Sequence, residues 1–190
     1  MRIVFIGAVQ LSAKMLEALI GMKADVVGVC AWAESSFNAD HLDLTGIANA
    51  AGIAVRYTPD INAEESIEWI KTLSPDVVFC FGWSRLVKQP LLSIPPLGVV
   101  GYHPTALPAN RGRHPLIWAL ALGMEQTGST FFFMDEGVDS GEILSQRMLT
   151  IDATDDAGSL YGRICATAVE QLREFIPALE SGQYTRVPQA

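Results

Sequence analysis

The stretch Arg2-Ile3-Val4-Phe5-Ile6-Gly7 decides the fold of this chain. Its continuous apolar run is typical of a strand that is buried on both faces of a sheet, and the glycine ends it. A helical stripe follows, in which apolar residues recur at intervals of four, four and three: Leu11, Met15, Leu19 and Met22. A buried strand that leads directly into an amphipathic helix is the beginning of a βαβ unit.

The same alternation continues along the chain. Further strands are predicted at 25–30, 53–57, 76–81 and 98–102, and helices at 42–51 and 63–73. This pattern predicts a Rossmann-like α/β fold, a mostly parallel sheet with helices on both faces and ligands at the carboxyl ends of its strands. The second half adds a helix at 115–122, extended runs at 129–134 and 143–151, and a long helix capped by Asp155 or Asp156. Its inward stripe is Leu160, Ile164, Ala168, Leu172 and Ile176. We expect residues 1–190 to form a single domain.

Composition limits the class of protein. The chain has 190 residues, 49% of them apolar, and a formal net charge of -8, which argues against a surface that holds a nucleic-acid backbone. Its three cysteines, Cys30, Cys80 and Cys165, have no zinc-site spacing and fit buried thiols of a cytoplasmic protein. The first apolar run is too short for a signal peptide or a membrane span. We therefore expect a cytoplasmic protein with neither a metal site nor a membrane partner.

A dinucleotide site is the first alternative for such a fold. The sequence after the first strand is Gly7-Ala8-Val9-Gln10-Leu11-Ser12. The dinucleotide fingerprint needs glycines for the tight turn, for the approach of the pyrophosphate and for helix packing. Only one of these glycines, Gly7, is present, so the sequence does not favour a dinucleotide site.

Two polar segments in the second half stand out. The segment GYHPTALPANRG, residues 101–112, begins at the end of a buried strand, so His103 falls where an α/β sheet presents its ligands. The segment MDEGVDSG, residues 134–141, is a predicted turn in which glycines flank Asp139. A single histidine or a single aspartate in a turn would indicate little.

The two segments together resemble the folate-dependent formyltransferase family. His103-Pro104-Thr105-Ala106-Leu107-Pro108, then Arg111-Gly112, then Asp139-Ser140-Gly141 stand in the order and at the spacing of that family. The resemblance extends to the opening strand and to 82–86 and 118–120, and it covers about residues 1–150. The family includes methionyl-tRNA and glycinamide-ribonucleotide formyltransferases. The continuation Asn-Arg-Gly-Arg-His and the ending Arg-Val-Pro-Gln look most like its sugar N-formyltransferases.

The resemblance implies transfer of a formyl group from 10-formyltetrahydrofolate to an amine, through a tetrahedral intermediate. His103 would stabilise the oxyanion or move the proton, and Asp139 would orient its imidazole. The resemblance also implies that folate binds at the carboxyl edge of the sheet, between two loops. The implied folate-binding residues are Trp83, Arg85, Leu86, Val87, Gly137, Val138 and Asp139. For Trp83 a structural role at the edge of its loop is the alternative.

Other polar residues have two interpretations each. Asn110, Arg111, Arg113 and His114 precede a helix, and basic side chains at a helix N-terminus can hold the phosphate of a substrate. Alternatively they cap the loop and carry solvated charge. Ser35, Ser36 and Asn38 follow the second strand and would either touch the acceptor or belong to an ordinary loop.

Gly101 departs from the family pattern, which usually places an asparagine two residues before the histidine. Losing one oxyanion donor typically costs about 3–4 kcal/mol of transition-state stabilisation. Asn110 or a protonated His103 are the candidate substitutes. A Gly101→Asn variant would then raise transfer or leave it unchanged, unless another group already fills the space.

The acceptor is predicted to be a small-molecule amine, an amino sugar carried on a nucleotide. The alternatives are a formyltetrahydrofolate hydrolase or a folate-binding module. A methionyl-tRNA or purine-precursor formyltransferase is less favoured, because the chain is acidic and we do not expect residues 1–190 to include the C-terminal barrel with which the tRNA enzymes grip nucleic acid. We therefore expect no nucleic-acid partner, and a homodimer stays open. A catalytic core whose accessory region is absent stays open.

Overall fold

The computed structural model describes residues 1–33 and 39–189. Ser35, Ser36 and Asn38, which follow the second strand, lie outside the described residues, and so do both of their interpretations, contact with the acceptor or an ordinary loop. The chain divides into two compact units, Met1–Val100 and Gly101–Ala190. That the two units act as one domain stays a prediction.

The unit Met1–Val100 alternates strands and helices as predicted. Its strands are β1 (Arg2–Ile6), β2 (Asp25–Ala31), β3 (Val55–Tyr57) and β4 (Val77–Cys80). Its helices are α1 (Gln10–Gly21), α2 (Thr45–Ala50) and α3 (Glu64–Thr72), with a short 3₁₀ helix at Leu91–Ser93 that the sequence did not predict. β1 pairs in parallel with β2 and with β4, and β2 pairs in parallel with β3.

Burial explains the apolar run with which the chain opens. Every residue from Ile3 to Ile6 is fully buried, and β1 lies between β2 and β4. In α1 the predicted stripe packs inward through Leu11, Met15 and Leu19, whereas Met22 is half-buried just beyond the helix. A central strand with both faces covered has no polar face, which is why its sequence does not alternate.

The unit Gly101–Ala190 contains most of the remaining elements. They are β5 (Val99–His103), which begins in the first unit, α4 (Pro115–Ala121), β6 (Gln126–Phe133), β7 (Ile143–Thr150) and α5 (Ala157–Ser181). β6 and β7 are antiparallel. Of the two aspartates predicted to cap α5, Asp156 does so, because its carboxylate accepts a hydrogen bond from the backbone N–H of Ser159 at 2.8 Å. All five residues of the predicted inward stripe of α5 are buried.

Several predicted boundaries shift by a few residues in the structure, and two of these shifts have an identifiable partner. The helix predicted from residue 42 begins at Thr45, because the carboxylate of Asp43 accepts the backbone N–H of Thr45 at 3.0 Å. The extended run predicted from Ser129 begins at Gln126, which pairs with Thr150 across β7. Both shifts come from partners that lie outside the local pattern of apolar residues.

The seven strands lie in the order β3-β2-β1-β4-β5-β6-β7. This confirms the predicted fold class, a Rossmann-like, mostly parallel α/β sheet with helices. The chain moves outward from β1 to β3 and then returns to β4, so strand order reverses between β1 and β4. Ligands of such sheets bind beyond the carboxyl ends of the strands at this reversal. No helix among the described residues is both long and apolar enough to span a lipid bilayer.

Candidate active site

His103 and Asp139, the predicted catalytic pair, face each other in the unit Gly101–Ala190. His103 is the last residue of β5, and its Nδ1 lies 3.8 Å from Oδ2 of Asp139. The two side chains are 8% and 22% exposed. At this distance the carboxylate attracts a protonated imidazole but makes no direct hydrogen bond to it. The structure therefore brings together two residues that are far apart in the sequence.

The hydrogen-bond partner of Nε2 shows which ring nitrogen of His103 can exchange a proton. Nε2 lies 3.0 Å from the backbone oxygen of Asn110. A carbonyl oxygen only accepts hydrogen bonds, so this partner assigns a hydrogen to Nε2. Nδ1 is then the nitrogen that gains or loses a proton, and it is the one that faces Asp139.

Hydroxyl groups of β6 hold the loop that follows His103. Thr130 donates its Oγ1–H to the backbone oxygen of Thr105 at 2.6 Å, and Thr127 donates to that of Pro104 at 3.2 Å. Both threonines and Thr105 are buried. These bonds satisfy carbonyl groups that have no partner in a regular strand or helix, and they fix the loop beside His103.

The turn that carries Asp139 is held by its own polar groups. Asp135 accepts hydrogen bonds from the backbone N–H of Gly137 at 2.9 Å and from the hydroxyl of Ser140 at 2.8 Å. Asp139 has a φ of 51°, in the left-handed region, and its Oδ2 accepts the backbone N–H of Gly112 at 3.1 Å. Aspartate tolerates this backbone conformation better than most residues.

Leu86 and Val87, two of the predicted folate-binding residues, lie in the loop after β4. The side-chain amide of Asn62 holds this loop on both sides of Val87. Its Nδ2 donates to the backbone oxygen of Leu86 at 2.9 Å, and its Oδ1 accepts the backbone N–H of Lys88 at 2.8 Å. Val87 is buried, whereas the side chain of Leu86 is 56% exposed. In the other unit Val138, also predicted to contact folate, is 53% exposed, and Gly137 lies in the same turn.

Trp83 and Arg85, in the same loop after β4, form a cluster with Trp32. The two indole rings lie 5.6 Å apart, and the guanidinium carbon of Arg85 lies 4.5 Å from the ring centre of Trp32. The sequence did not single out Trp32, although its position directly after β2 places it at the carboxyl edge of the sheet. Nε1 of Trp83 is buried and has no hydrogen-bond partner among the residues that the structure describes. A buried, unpaired donor of this kind costs about 1–3 kcal/mol.

The residues predicted to bind the acceptor are all exposed, but Arg111 already has a partner within its own unit. The guanidinium of Arg111 donates to Oε1 of Gln189 at 2.6 and 3.2 Å. Arg113 and His114 are exposed, and His114 has a φ of 57° just before α4. Arg111 is therefore already engaged within its own unit, which the sequence did not predict.

Asn110, the candidate substitute donor, contacts His103 through its backbone rather than its side chain. Its side-chain nitrogen lies 3.9 Å from Sδ of Met124. Its φ of 57° places this residue in the left-handed region too. A role for its amide in binding an oxyanion stays a prediction.

A family model described as Formyl transferase matches residues 1–176. The chain belongs to the formyl transferase family. This confirms the predicted family, whereas formyl transfer by this chain itself stays a prediction. Enzymes of the family take the formyl group from 10-formyltetrahydrofolate, the donor that the sequence resemblance implied.

The relatives in sequence include the methionyl-tRNA formyltransferase of Kosmotoga olearia, which is 33% identical over 193 residues. The alignment takes in 100% of this chain and 62% of that protein. The chain thus spans about three-fifths of the length of the curated relatives that it matches. The predicted likeness to sugar enzymes does not extend to these relatives, so they confirm neither a sugar acceptor nor the absence of a nucleic-acid partner.

Solved structures of the family share the fold. Glycinamide ribonucleotide transformylase 1 from Symbiobacterium toebii matches with a TM-score of 0.79 and 23% identity, over 95% of this chain and 88% of that one. The N-formyltransferase from Helicobacter canadensis, in complex with folinic acid and dTDP-3-aminofucose, matches with a TM-score of 0.75 and 19% identity, over 99% and 67%. At these identities the likeness establishes the fold alone.

Gly101, where the formyltransferases usually have asparagine, lies against filled space. A Cβ at this position would lie 2.9 Å from Cγ of Met134 and 3.0 Å from Cζ of Phe132. Residues two apart on β5 point to the same face, so these side chains occupy the place beside His103 that an asparagine would need. The structure thus favours the alternative in which an asparagine clashes.

We expect Gly101→Asn to lower the free energy of unfolding by about 1–3 kcal/mol, as overpacking does. The same change combined with Met134→Ala should regain part of this loss, because the flexible Met134 side chain is the nearer obstacle. Urea denaturation of the two variants and of Met134→Ala alone measures the effect. A Gly101→Asn variant that is as stable as the wild type and faster in transfer would restore the missing-donor interpretation.

Proposed function

We propose that this protein transfers a formyl group from 10-formyltetrahydrofolate to the amine of a nucleotide-linked amino sugar. The observation that carries the transfer is the pairing of His103 and Asp139. It presents an exchangeable ring nitrogen, Nδ1, 3.8 Å from a partly exposed carboxylate oxygen. An amine that attacks a formyl carbon must lose a proton, and a histidine with a neighbouring carboxylate can accept it near neutral pH.

Each residue of the pair has a distinct part in this reaction. Nδ1 of His103 receives the proton of the attacking nitrogen and passes it to the leaving nitrogen of tetrahydrofolate as the bond between that nitrogen and the formyl carbon breaks. The hydrogen bond from Nε2 to Asn110 keeps the ring in one orientation. The carboxylate of Asp139 then stabilises the imidazolium, because opposite charges attract strongly where solvent is partly excluded. The N–H of Gly112 holds that carboxylate in place.

The residues predicted to bind folate suit a pterin in their chemistry. A pterin ring is flat and carries hydrogen-bond acceptors along its edge. Leu86 and Val138 each expose an apolar side chain, and Nε1 of Trp83 is a buried donor that lacks a partner among the described residues. A ligand that covers Leu86 removes apolar surface from water, and one that accepts from Trp83 relieves the cost of its unpaired N–H.

We expect Leu86→Ser to weaken the binding of folinic acid about tenfold or more, since burial of a leucine side chain contributes about 1.5–3 kcal/mol. Leu122→Ser is the matched control, because Leu122 is 66% exposed and lies just beyond α4. Calorimetric titration with folinic acid measures both affinities. Equal affinities for Leu86→Ser and the wild type would remove Leu86 from the site.

Two observations support an amino-sugar acceptor. The formal net charge of -8 disfavours a partner with a phosphate backbone, and a protein of the same fold was solved with dTDP-3-aminofucose. Methionyl-tRNA is the second candidate acceptor, favoured by the 33% identity to the Kosmotoga olearia enzyme. A local basic surface could serve such an acceptor despite the overall charge.

Release of tetrahydrofolate from 10-formyltetrahydrofolate distinguishes these functions. The protein is incubated with the donor alone, with dTDP-3-aminofucose and with methionyl-tRNA. We expect release with the sugar nucleotide and little without it. Release only with methionyl-tRNA would identify the second candidate as the acceptor. Release without any acceptor would indicate a hydrolase. Binding of the donor without release would indicate a folate-binding module.

A further inference from the structure

Gln189 uses its whole side-chain amide on two segments beside the catalytic pair, the loop 110–112 and the turn that carries Asp139. Its Nε2 donates to the backbone oxygens of Asp139, at 3.0 Å, and of Gly141, at 2.7 Å. Its Oε1 accepts two hydrogen bonds from the guanidinium of Arg111, at 2.6 and 3.2 Å. A primary amide has two hydrogens and two lone pairs, so all its hydrogen-bonding capacity is used.

These bonds close a ring around the catalytic pair. The first residue of the loop 110–112 accepts from Nε2 of His103, and the last donates its N–H to Oδ2 of Asp139. The arginine between them pairs with Gln189, which in turn binds the backbone of the Asp139 turn. One loop thus contacts the imidazole, the carboxylate and the amide that joins the loop to the turn.

The segment that carries Gln189 is itself fixed. Ile143, the first residue of β7, donates its N–H to the oxygen of Val187 at 2.8 Å and accepts the N–H of Val187 at 2.9 Å. Gln189 therefore reaches the Asp139 turn from a backbone that is paired with the strand following that turn. Asp139 needs such support, because a residue other than glycine keeps a left-handed conformation only where its surroundings hold it.

We infer that Gln189 is a positioning residue for formyl transfer, whose amide sets the Asp139 carboxylate with respect to Nδ1 of His103. Its effect on catalysis rests on the proposed function, but its effect on the position of Asp139 does not. Only an amide of this length donates to two carbonyl oxygens and accepts from a guanidinium at once. The acceptor of the reaction need not touch Gln189.

Three variants separate the parts of this role. Gln189→Glu keeps the shape and the contact with Arg111 but replaces both donor hydrogens by a charge that faces two carbonyl oxygens. Gln189→Leu removes the donors and the acceptor together. Gln183→Glu is the matched control, because it makes the same change at an exposed residue close by in the chain.

The exchange of the Gly112 amide hydrogen with solvent tests the position of Asp139 without any substrate. This N–H is bonded to the Asp139 carboxylate, so its exchange rate, measured by NMR, reports whether the carboxylate stays in place. We expect exchange at least about tenfold faster in Gln189→Glu and Gln189→Leu, and unchanged in Gln183→Glu. Rates within about twofold of the wild type in both Gln189 variants would overturn the inference.

Transfer from 10-formyltetrahydrofolate to dTDP-3-aminofucose gives the second test. Gln189→Glu should lower kcat about tenfold when Asp139 is present and less than about twofold in an Asp139→Asn background, because the two residues act as one unit. Equal reductions in the two backgrounds would show that Gln189 does not act through Asp139. If the wild type itself shows no transfer, the proposed acceptor fails, and the exchange of Gly112 alone decides the role of Gln189.

Discussion

We expect His103→Ala to lower kcat for formyl transfer at least about a hundredfold, the low end of what a general acid–base residue contributes. The variant loses Nδ1, the ring nitrogen that faces Asp139 and can take the proton of the attacking amine. Asp139→Ala loses the carboxylate that stabilises the resulting imidazolium, and we expect a reduction of the same order. Steady-state rates with saturating donor and acceptor measure both.

The double variant distinguishes a catalytic pair from two separate contributions. Residues that act as a unit have non-additive effects, so His103→Ala with Asp139→Ala should be little slower than either single variant. Circular dichroism and thermal unfolding of each variant control for loss of fold. A single variant that keeps most of its activity would contradict the assignment of that residue.

A methyl group at Gly128 should lower the free energy of unfolding by about 3 kcal/mol, near the upper end for overpacking. A Cβ at this position of β6 would lie 2.5 Å from the backbone nitrogen of Ala106 and 2.6 Å from the carbonyl carbon of Thr105. These are backbone atoms of the loop after His103, so they cannot rotate away as a side chain would. We also expect a loss of transfer, because the displaced loop is the one that β6 holds beside His103.

Gly162→Ala is the matched control for Gly128→Ala. Gly162 lies within α5, and no described atom outside the helix's own backbone lies within 4 Å of a Cβ built there. Alanine is favoured over glycine in a helix by about 0.5–1 kcal/mol, so this variant should be slightly more stable than the wild type. Urea denaturation compares the two. A Gly128→Ala variant of wild-type stability would show that the loop moves away from β6 at little cost.

The fold could be predicted from the sequence because it depends on patterns of apolar residues that repeat every few positions. Ile3 to Ile6 are buried because a run without polar residues suits a central strand, and the stripe of α5 is buried because it repeats at the helical period. The start of β6 at Gln126 did not follow, because a polar residue joins a strand there through its partner on β7. Periodicity cannot indicate such a partner.

The candidate site could be predicted from the sequence only in part. His103 was predicted from its place after a buried strand and from its resemblance to the family, and the structure places it beside Asp139. Gln189 entered the sequence analysis only as part of the ending Arg-Val-Pro-Gln, and its contact with Asp139, 50 positions away, was not predicted. Met134, which fills the space at Gly101, was missed for the same reason. Such contacts depend on how helices, strands and loops pack together, which local sequence patterns do not predict.

The rates at which the buried cysteines of the wild-type protein are chemically labelled report how often each unit opens. Cys30 and Cys80 lie in the unit Met1–Val100, where burial raises the pKa of each thiol to about 12, and Cys165 is buried in the other unit. Only the thiolate attacks a disulfide reagent, so at neutral pH each cysteine is modified only when its surroundings open. Mass spectrometry at successive times then gives the labelling rate of Cys30 and Cys80 and that of Cys165 from one sample. A single shared rate means that the units open together, and faster labelling of Cys30 and Cys80 means that the first unit opens by itself.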